Sequence, residues 1–117
     1  MLLKQMLNQS TSLDLMFQAL ADPSRRMMVE RLSRGPASVS ELAEPFDMAL
    51  PSFVQHLRVL EDSGLVTSRK TGRVRTYKLD AAQLHTAEDW LAHQRSLWER
   101  RLDQLDDYLL KLKEQQQ

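Results

Sequence analysis

Ser38-Val39-Ser40-Glu41-Leu42-Ala43, then Pro51-Ser52-Phe53-Val54-Gln55-His56-Leu57-Arg58-Val59-Leu60, then Gly64-Leu65-Val66 and Arg69-Lys70-Thr71-Gly72-Arg73-Val74-Arg75 decide how this chain folds. Ser38-x-x-Glu41 is a capping box, so a helix starts at Val39, and Pro45 keeps it short. Phe46 to Ala49 makes a turn. Pro51 opens a second helix that runs to about Asp62. Phe53, Leu57 and Leu60 fall on one side of it, and Ser52, Gln55, Val59 and Asp62 on the other. Gly64 stops it. Leu65–Ser68 and Val74–Leu79 alternate like strands, with Thr71-Gly72 between them as the turn. The stretch reads as helix, turn, helix and a cation-loaded β-hairpin.

Outward from this centre the chain is helical. Residues 1–11 are polar, with Leu2, Leu3, Met6 and Leu7 as helical contacts. Leu13 to Leu20 forms a short helix capped by Ser12, with Leu13, Met16, Phe17 and Leu20 on one stripe. Asp22-Pro23 restarts the chain as cap and first helical residue. That helix runs to about Arg34, burying Met27, Met28 and Leu32 with Val29 as a further candidate, and turning Arg25, Arg26, Glu30 and Arg31 outward, and Gly35-Pro36 ends it. The methionines Met6, Met16, Met27, Met28 and Met48 read as adaptable core filler. After the hairpin, residues 81–113 form the longest helix. On it Leu91, Trp98, Leu102, Leu105, Leu109 and Leu112 recur at steps of seven, four, three, four and three, an apolar seam of coiled-coil character. The expected fold is mainly α with a small β-hairpin, one domain over 1–117 with 81–113 as a C-terminal dimerisation helix.

The net charge of zero conceals a segregation. Arg69, Lys70, Arg73, Arg75 and Lys78 lie close together with no acid among them. From Asp80 to the end, eight acids face five cations. A polyanion would meet the basic arm while the acidic tail is held away. There is no cysteine, which excludes disulfides, thiol chemistry and thiolate metal sites. No apolar run reaches the length of a membrane span, and the N-terminus lacks the features of a signal peptide. A cytoplasmic protein with no membrane partner is expected.

A helix fits the B-DNA major groove, where its N-terminal side chains reach base edges. Ser52, Gln55 and His56 are donors and acceptors at that end of the second helix, and Gln can pair in bidentate fashion with adenine. A cationic hairpin suits phosphates or a narrow minor groove. The residues Ala21-Asp22-Pro23-Ser24-Arg25-Arg26, Ser40-Glu41-Leu42-Ala43, Pro51 through Val66 and the basic hairpin together resemble the ArsR family of bacterial winged-helix repressors. The resemblance covers about residues 13–80. It implies a winged helix-turn-helix homodimer joined through its first and last helices, a double-stranded DNA operator as partner, and repression by occupying that operator, autorepression included. The residues expected at DNA are Ser52, Val54, Gln55, His56, Arg58, Lys70, Arg73 and Arg75, with Arg73 at the wing tip for the minor groove. Those expected at the dimer interface are Leu13, Phe17, Leu91, Trp98, Leu102, Leu105 and Leu109.

The chain departs from the family at instructive places. Val54 stands where Ser is common, and Ala49 where a polar cap is common. The family's Cys-x-Cys metal site would fall within Glu41–Asp47, which has no cysteine. His85, Asp89 and His93 share a helix face at i, i+4 and i+8 and are of metal-ligating type, but they lack the Asp-x-His and His-x-x-Glu pattern of the family's helix-borne site, and Arg95 and Arg100 oppose a cation. No metal or other cofactor is expected. Ser52 and His56 form an i, i+4 pair without a third orienting group or an oxyanion hole, so no enzyme is expected. Trp90 and Trp98 read as dimer core ahead of a small-molecule pocket. Two other functions use the same elements: a metal- or ligand-responsive sensor on this scaffold, and an interaction module whose last helix docks a different protein.

Overall fold

The computed structural model describes residues 12–116. The helical contacts expected of Leu2, Leu3, Met6 and Leu7 lie outside it, as does Gln117. In chain order the elements are α1 (residues 12–20), α2 (Pro23–Leu32), β1 (Ala37–Ser38), α3 (Val39–Ala43), α4 (Leu50–Asp62), β2 (Val66–Thr71), β3 (Val74–Leu79) and α5 (Ala81–Gln115). They fall into two compact units, divided after Leu84.

In the first unit, Asp22 caps α2 by accepting from the Arg25 N–H at 3.0 Å, and Pro23 takes the first turn, where its missing N–H costs nothing. Ser38 and Glu41 form the reciprocal capping box of α3, at 3.2 and 3.1 Å. α4 ends at Ser63, and Gly64 follows at φ +83°, a left-handed conformation that favours glycine. The Ser63 hydroxyl is buried but satisfied, donating to the Leu60 carbonyl and accepting from the Leu65 N–H.

The core gathers Met16 and Ala19 of α1, Met28 and Leu32 of α2, Leu42 of α3, Phe53, Leu57 and Leu60 of α4, and Leu65, Val66 and Tyr77 of the sheet segment. Phe46 meets Phe53 in a tilted ring contact at 5.5 Å. The sheet has three strands in the order β1-β3-β2, all antiparallel. β1, two residues long, pairs Ala37 with Tyr77 and Ser38 with Thr76. It thereby ties the start of α3 to the hairpin.

Several expectations need correction. Ser12 is itself helical, so α1 is not capped there. Helix α2 stops at Leu32, and Met27 is 53% exposed, because Met28 and Leu32 take the inward positions one turn apart. Arg25 and Arg26 do not simply point to solvent. Arg25 donates to the Ala19 and Gln18 carbonyls and Arg26 to that of Leu20, closing the open C-terminal carbonyls of α1. The hairpin turn lies at Gly72-Arg73 rather than Thr71-Gly72, since Thr71 pairs with Val74. Gly72 takes φ +63° at the first turn position, the place for glycine in a two-residue hairpin.

The second unit consists of α5 from His85 onward. Leu91, Trp98, Leu102, Leu105 and Leu109 are each more than half exposed, and Leu112 is 36% exposed. Among the described residues no helix is long and apolar enough to cross a membrane.

Leu57 is fully buried at the middle of the α4 stripe. Leu57→Ala should lower the free energy of unfolding by roughly 2–5 kcal/mol, through reduced burial and the cavity left behind. Chemical denaturation measures this, and a change below about 1 kcal/mol would mean the site is not closely packed.

Candidate nucleic-acid interface

Helix α4 turns its residues by about 100° each, so burying Phe53, Leu57 and Leu60 sends Ser52, Gln55 and Arg58 to the surface. Val54, 37% exposed, lies on the flank nearer the hairpin. There it lines a cleft of about 430 Å³ with Arg58, Glu61, Asp62, Arg75 and Tyr77. His56 lies on the opposite flank, against α2. The start of α4 is open: Ala49 is extended and makes no side-chain cap hydrogen bond. The first-turn N–H groups and the positive end of the helix dipole therefore have no side-chain cap. Leu50 is 59% exposed at this end. Its helical spacing with Phe53 and Leu57 suggests burial, but it lies one turn beyond the edge of the core.

The register of the hairpin sorts its side chains. Val66 opposes Leu79, Ser68 opposes Tyr77 and Lys70 opposes Arg75. Opposed residues of an antiparallel pair share a face, and alternate pairs share the same one. Lys70 and Arg75 therefore extend the face that carries buried Val66 and Tyr77, the face that packs toward α4. Arg69 and Lys78 lie on the other face with Thr67, Thr71, Thr76 and Val74. Arg73 is exposed in the turn. Like charges placed directly opposite one another destabilise a hairpin. Lys70 and Arg75 are opposed in register, but Arg75 turns its guanidinium to Ser68 beside the Glu61 carboxylate, which offsets the repulsion.

Arg75 also anchors the hairpin base. Its Nη1 donates to Ser68 Oγ at 2.8 Å, and Ser68 Oγ donates to Glu61 Oε2 of α4 at 3.1 Å. The buried Tyr77 phenol faces the same carboxylate. Burial first, and then the Glu61 charge, push its pKa up. A relay of arginine, serine and glutamate thus fixes the angle between α4 and the wing.

On the other flank, Arg25 Nη1 lies 3.2 Å from His56 Nδ1, and Asp22 Oδ2 is 3.9 Å from the same nitrogen. The Arg25 N–H, ahead of other causes, holds the Asp22 carboxyl below its usual value. Sequence reasoning missed Arg25. Its spacing puts it on the outer face of α2, and only the fold shows the α1 carbonyls and His56 within its reach.

On α5, His85 pairs with Glu88 at 3.6 Å and with Asp89 at 3.7 Å. Among the described residues no group of three or more His, Asp or Glu side chains is arranged to hold a metal ion. Arg101 lies over the Trp98 ring at 5.7 Å. Leu13 and Phe17 are half-buried on α1.

Comparison with known proteins agrees with this architecture. A family model described as a helix-turn-helix domain matches residues 20–69. The crystal structure of an ArsR family transcriptional regulator, RHA00566, is 57% identical, with TM-score 0.73, covering 77% of this chain and 93% of that one. The chain belongs to the ArsR family. An ArsR-like transcriptional regulator from Rhodococcus sp. RHA1 is 31% identical with TM-score 0.73, over 84% of this chain and 92% of that one. The transcriptional regulator Rv2034 of Mycobacterium tuberculosis is 47% identical over 71 residues, 61% of this chain and 66% of that protein. The transcriptional repressor SdpR of Bacillus subtilis is 28% identical over 75 residues, 64% of this chain and 83% of that protein. The aligned part thus spans about two thirds of Rv2034. These ArsR relatives are transcriptional regulators, and the winged helix-turn-helix expected from the residues is the fold observed.

The Tyr77 environment makes a pH prediction. Its native pKa is raised above 10.0, so the native state keeps the proton while the unfolded chain releases it. This contribution is fully present below pH 10.0 and disappears as pH climbs through the native value. Denaturation midpoints of wild type should fall across that window, and those of Tyr77→Phe should fall less. Equal slopes would show that the phenol is not held neutral by the fold.

Proposed function

We propose that the protein is a dimeric, sequence-specific DNA-binding repressor of the cytoplasm, one domain in which the outer part of α5 pairs two copies. The observation that carries this is a shared cleft. Val54 and Arg58 of α4 and Arg75 of the hairpin line it together, and the Arg75–Ser68–Glu61 relay joins the two elements there, beside an α4 whose start is uncapped. On this reading Ser52, Gln55 and Arg58 meet base edges in the major groove, with His56 and Val54 at the borders of the contact. The open N–H groups of α4 take a phosphate. Lys70 and Arg75 straddle the backbone, and Arg73 reaches into the minor groove.

Dimerisation is supported by the stripe of Leu91, Trp98, Leu102, Leu105 and Leu109, each more than half exposed along a single helix. Leu13 and Phe17 of α1 add to the interface. A dimer sets two copies of α4 about 34 Å apart, so the operator should be a palindrome with half-sites one helical turn apart. SdpR, named as a repressor, supports repression over activation.

In vitro selection of bound duplexes with the purified protein tests the reading: a palindromic motif is expected, and no enrichment would overturn it. Replacing Lys70, Arg73 and Arg75 by alanine together should weaken binding and lower the salt slope by roughly 0.9 for each phosphate that is no longer neutralised. An unchanged slope would remove the wing from the interface. Leu102→Glu with Leu105→Glu should turn a sedimenting dimer into a monomer. A dimer that survives would place the interface elsewhere.

A further inference from the structure

The hydrogen bond between Arg25 and His56 has a chemical direction. A guanidinium has donors only, so at 3.2 Å from Arg25 Nη1 the His56 Nδ1 must supply its lone pair. A proton on Nδ1 would set donor against donor. Asp22 Oδ2, the group that could draw a proton there, is 3.9 Å away, beyond hydrogen-bond range, and already accepts the Arg25 N–H. Arg25 cannot easily swing aside, because its Nε donates to the Ala19 carbonyl at 2.7 Å and its Nη2 to that of Gln18 at 3.1 Å. Three fixed bonds therefore specify one tautomer: the proton of the neutral imidazole sits on Nε2. The His56 side chain keeps 24% of its surface exposed, on the flank of α4 next to Ser52.

We infer that Arg25 is a positioning residue that makes His56 a directional donor, so that the His56 edge of α4 takes a hydrogen-bond acceptor on the DNA and refuses an amino group. The acceptor is a base-edge atom such as a purine N7 or a phosphate oxygen; the exocyclic amines of adenine and cytosine are the groups refused. This rests on the reading of α4 as the DNA-contacting helix and adds the polarity of one of its contacts. Arg25 touches no DNA in this scheme. It acts through the imidazole, from the far side of the ring.

The tautomer can be read without DNA. Long-range ¹H–¹⁵N spectra of the histidine-labelled full chain, with His56 assigned by its loss in His56→Gln, should show the Nε2–H form. In Arg25→Met the donor is gone and Asp22 becomes the nearest partner of Nδ1, so the Nδ1–H form should appear in a variant whose amide spectrum remains folded. An Nδ1–H form in wild type overturns the inference, as does a folded Arg25→Met with an unchanged tautomer. Should that variant not fold, the wild-type spectrum decides alone.

The DNA arm uses a duplex recovered by selection. Purines are replaced singly by 7-deaza analogues, guanines by 2-aminopurine and thymines by 5-methyl-2-pyrimidinone to remove O6 and O4, adenines by unsubstituted purine to remove the amino group, and phosphates by methylphosphonates, which separates base acceptors, amino groups and the backbone. Wild type should lose about five- to tenfold in affinity at one such position, and His56→Ala should be insensitive there. Coupling to no acceptor, or to an amino group, overturns the inference and leaves the DNA reading standing. Failure of selection itself would sink that reading, and the DNA half of this one with it.

Discussion

The burial of Phe53, Leu57 and Leu60 is the constraint on which the rest depends. Once that stripe faces the core, the rotation of α4 is set to within a fraction of a turn, and every surface residue of the helix has an assigned direction. A fixed rotation alone would leave α4 free to tilt against its neighbours. Two polar ties on opposite flanks remove that freedom: Glu61 to the hairpin through Ser68 and Arg75, and His56 to α2 through Arg25. Neither tie is worth much in stability. On the proposed reading their value is angular, because a side chain that meets a base edge tolerates little displacement.

The electrostatic arrangement follows the same economy. A chain of zero net charge does not attract a polyanion as a whole, so attraction must be local. Concentrating cations in the hairpin and acids along α5 makes it so. On the proposed reading the hairpin cations draw DNA to the surface beside α4.

What is legible in the sequence is whatever a few neighbouring residues decide. The Ser38–Glu41 capping box, the Asp22-Pro23 restart, the Gly64 stop and the α4 stripe are local, and they appear where the residues place them. So is the period of α5, though the helix runs two residues further than its pattern suggests. What is not legible depends on distant partners. Two-residue β1 has no strand pattern and exists because Tyr77 and Thr76 offer it an edge. Arg25 has the spacing of a solvent residue, and its role exists only because α1 and α4 converge on it. Met27 shares its residue type with Met28, but only one of two adjacent positions can face inward. The hairpin turn falls one residue later than expected because Gly72 fits either frame, and only the pairing of Thr71 with Val74 chooses. For the interface, the residue types and their order are visible in the sequence. The common face of Lys70 and Arg75, and the sidedness of His56, require the register and the packing.

The cationic hairpin has a kinetic consequence. On the proposed reading its cations hold any stretch of phosphates without regard to sequence. The wing is then the part that lets the molecule hold on while it travels along DNA. Because it grips every site alike, it gives no reason to stop. Stopping is left to α4, whose contacts are directional. A more tightly gripping wing would lengthen each visit to a wrong site as much as to the right one.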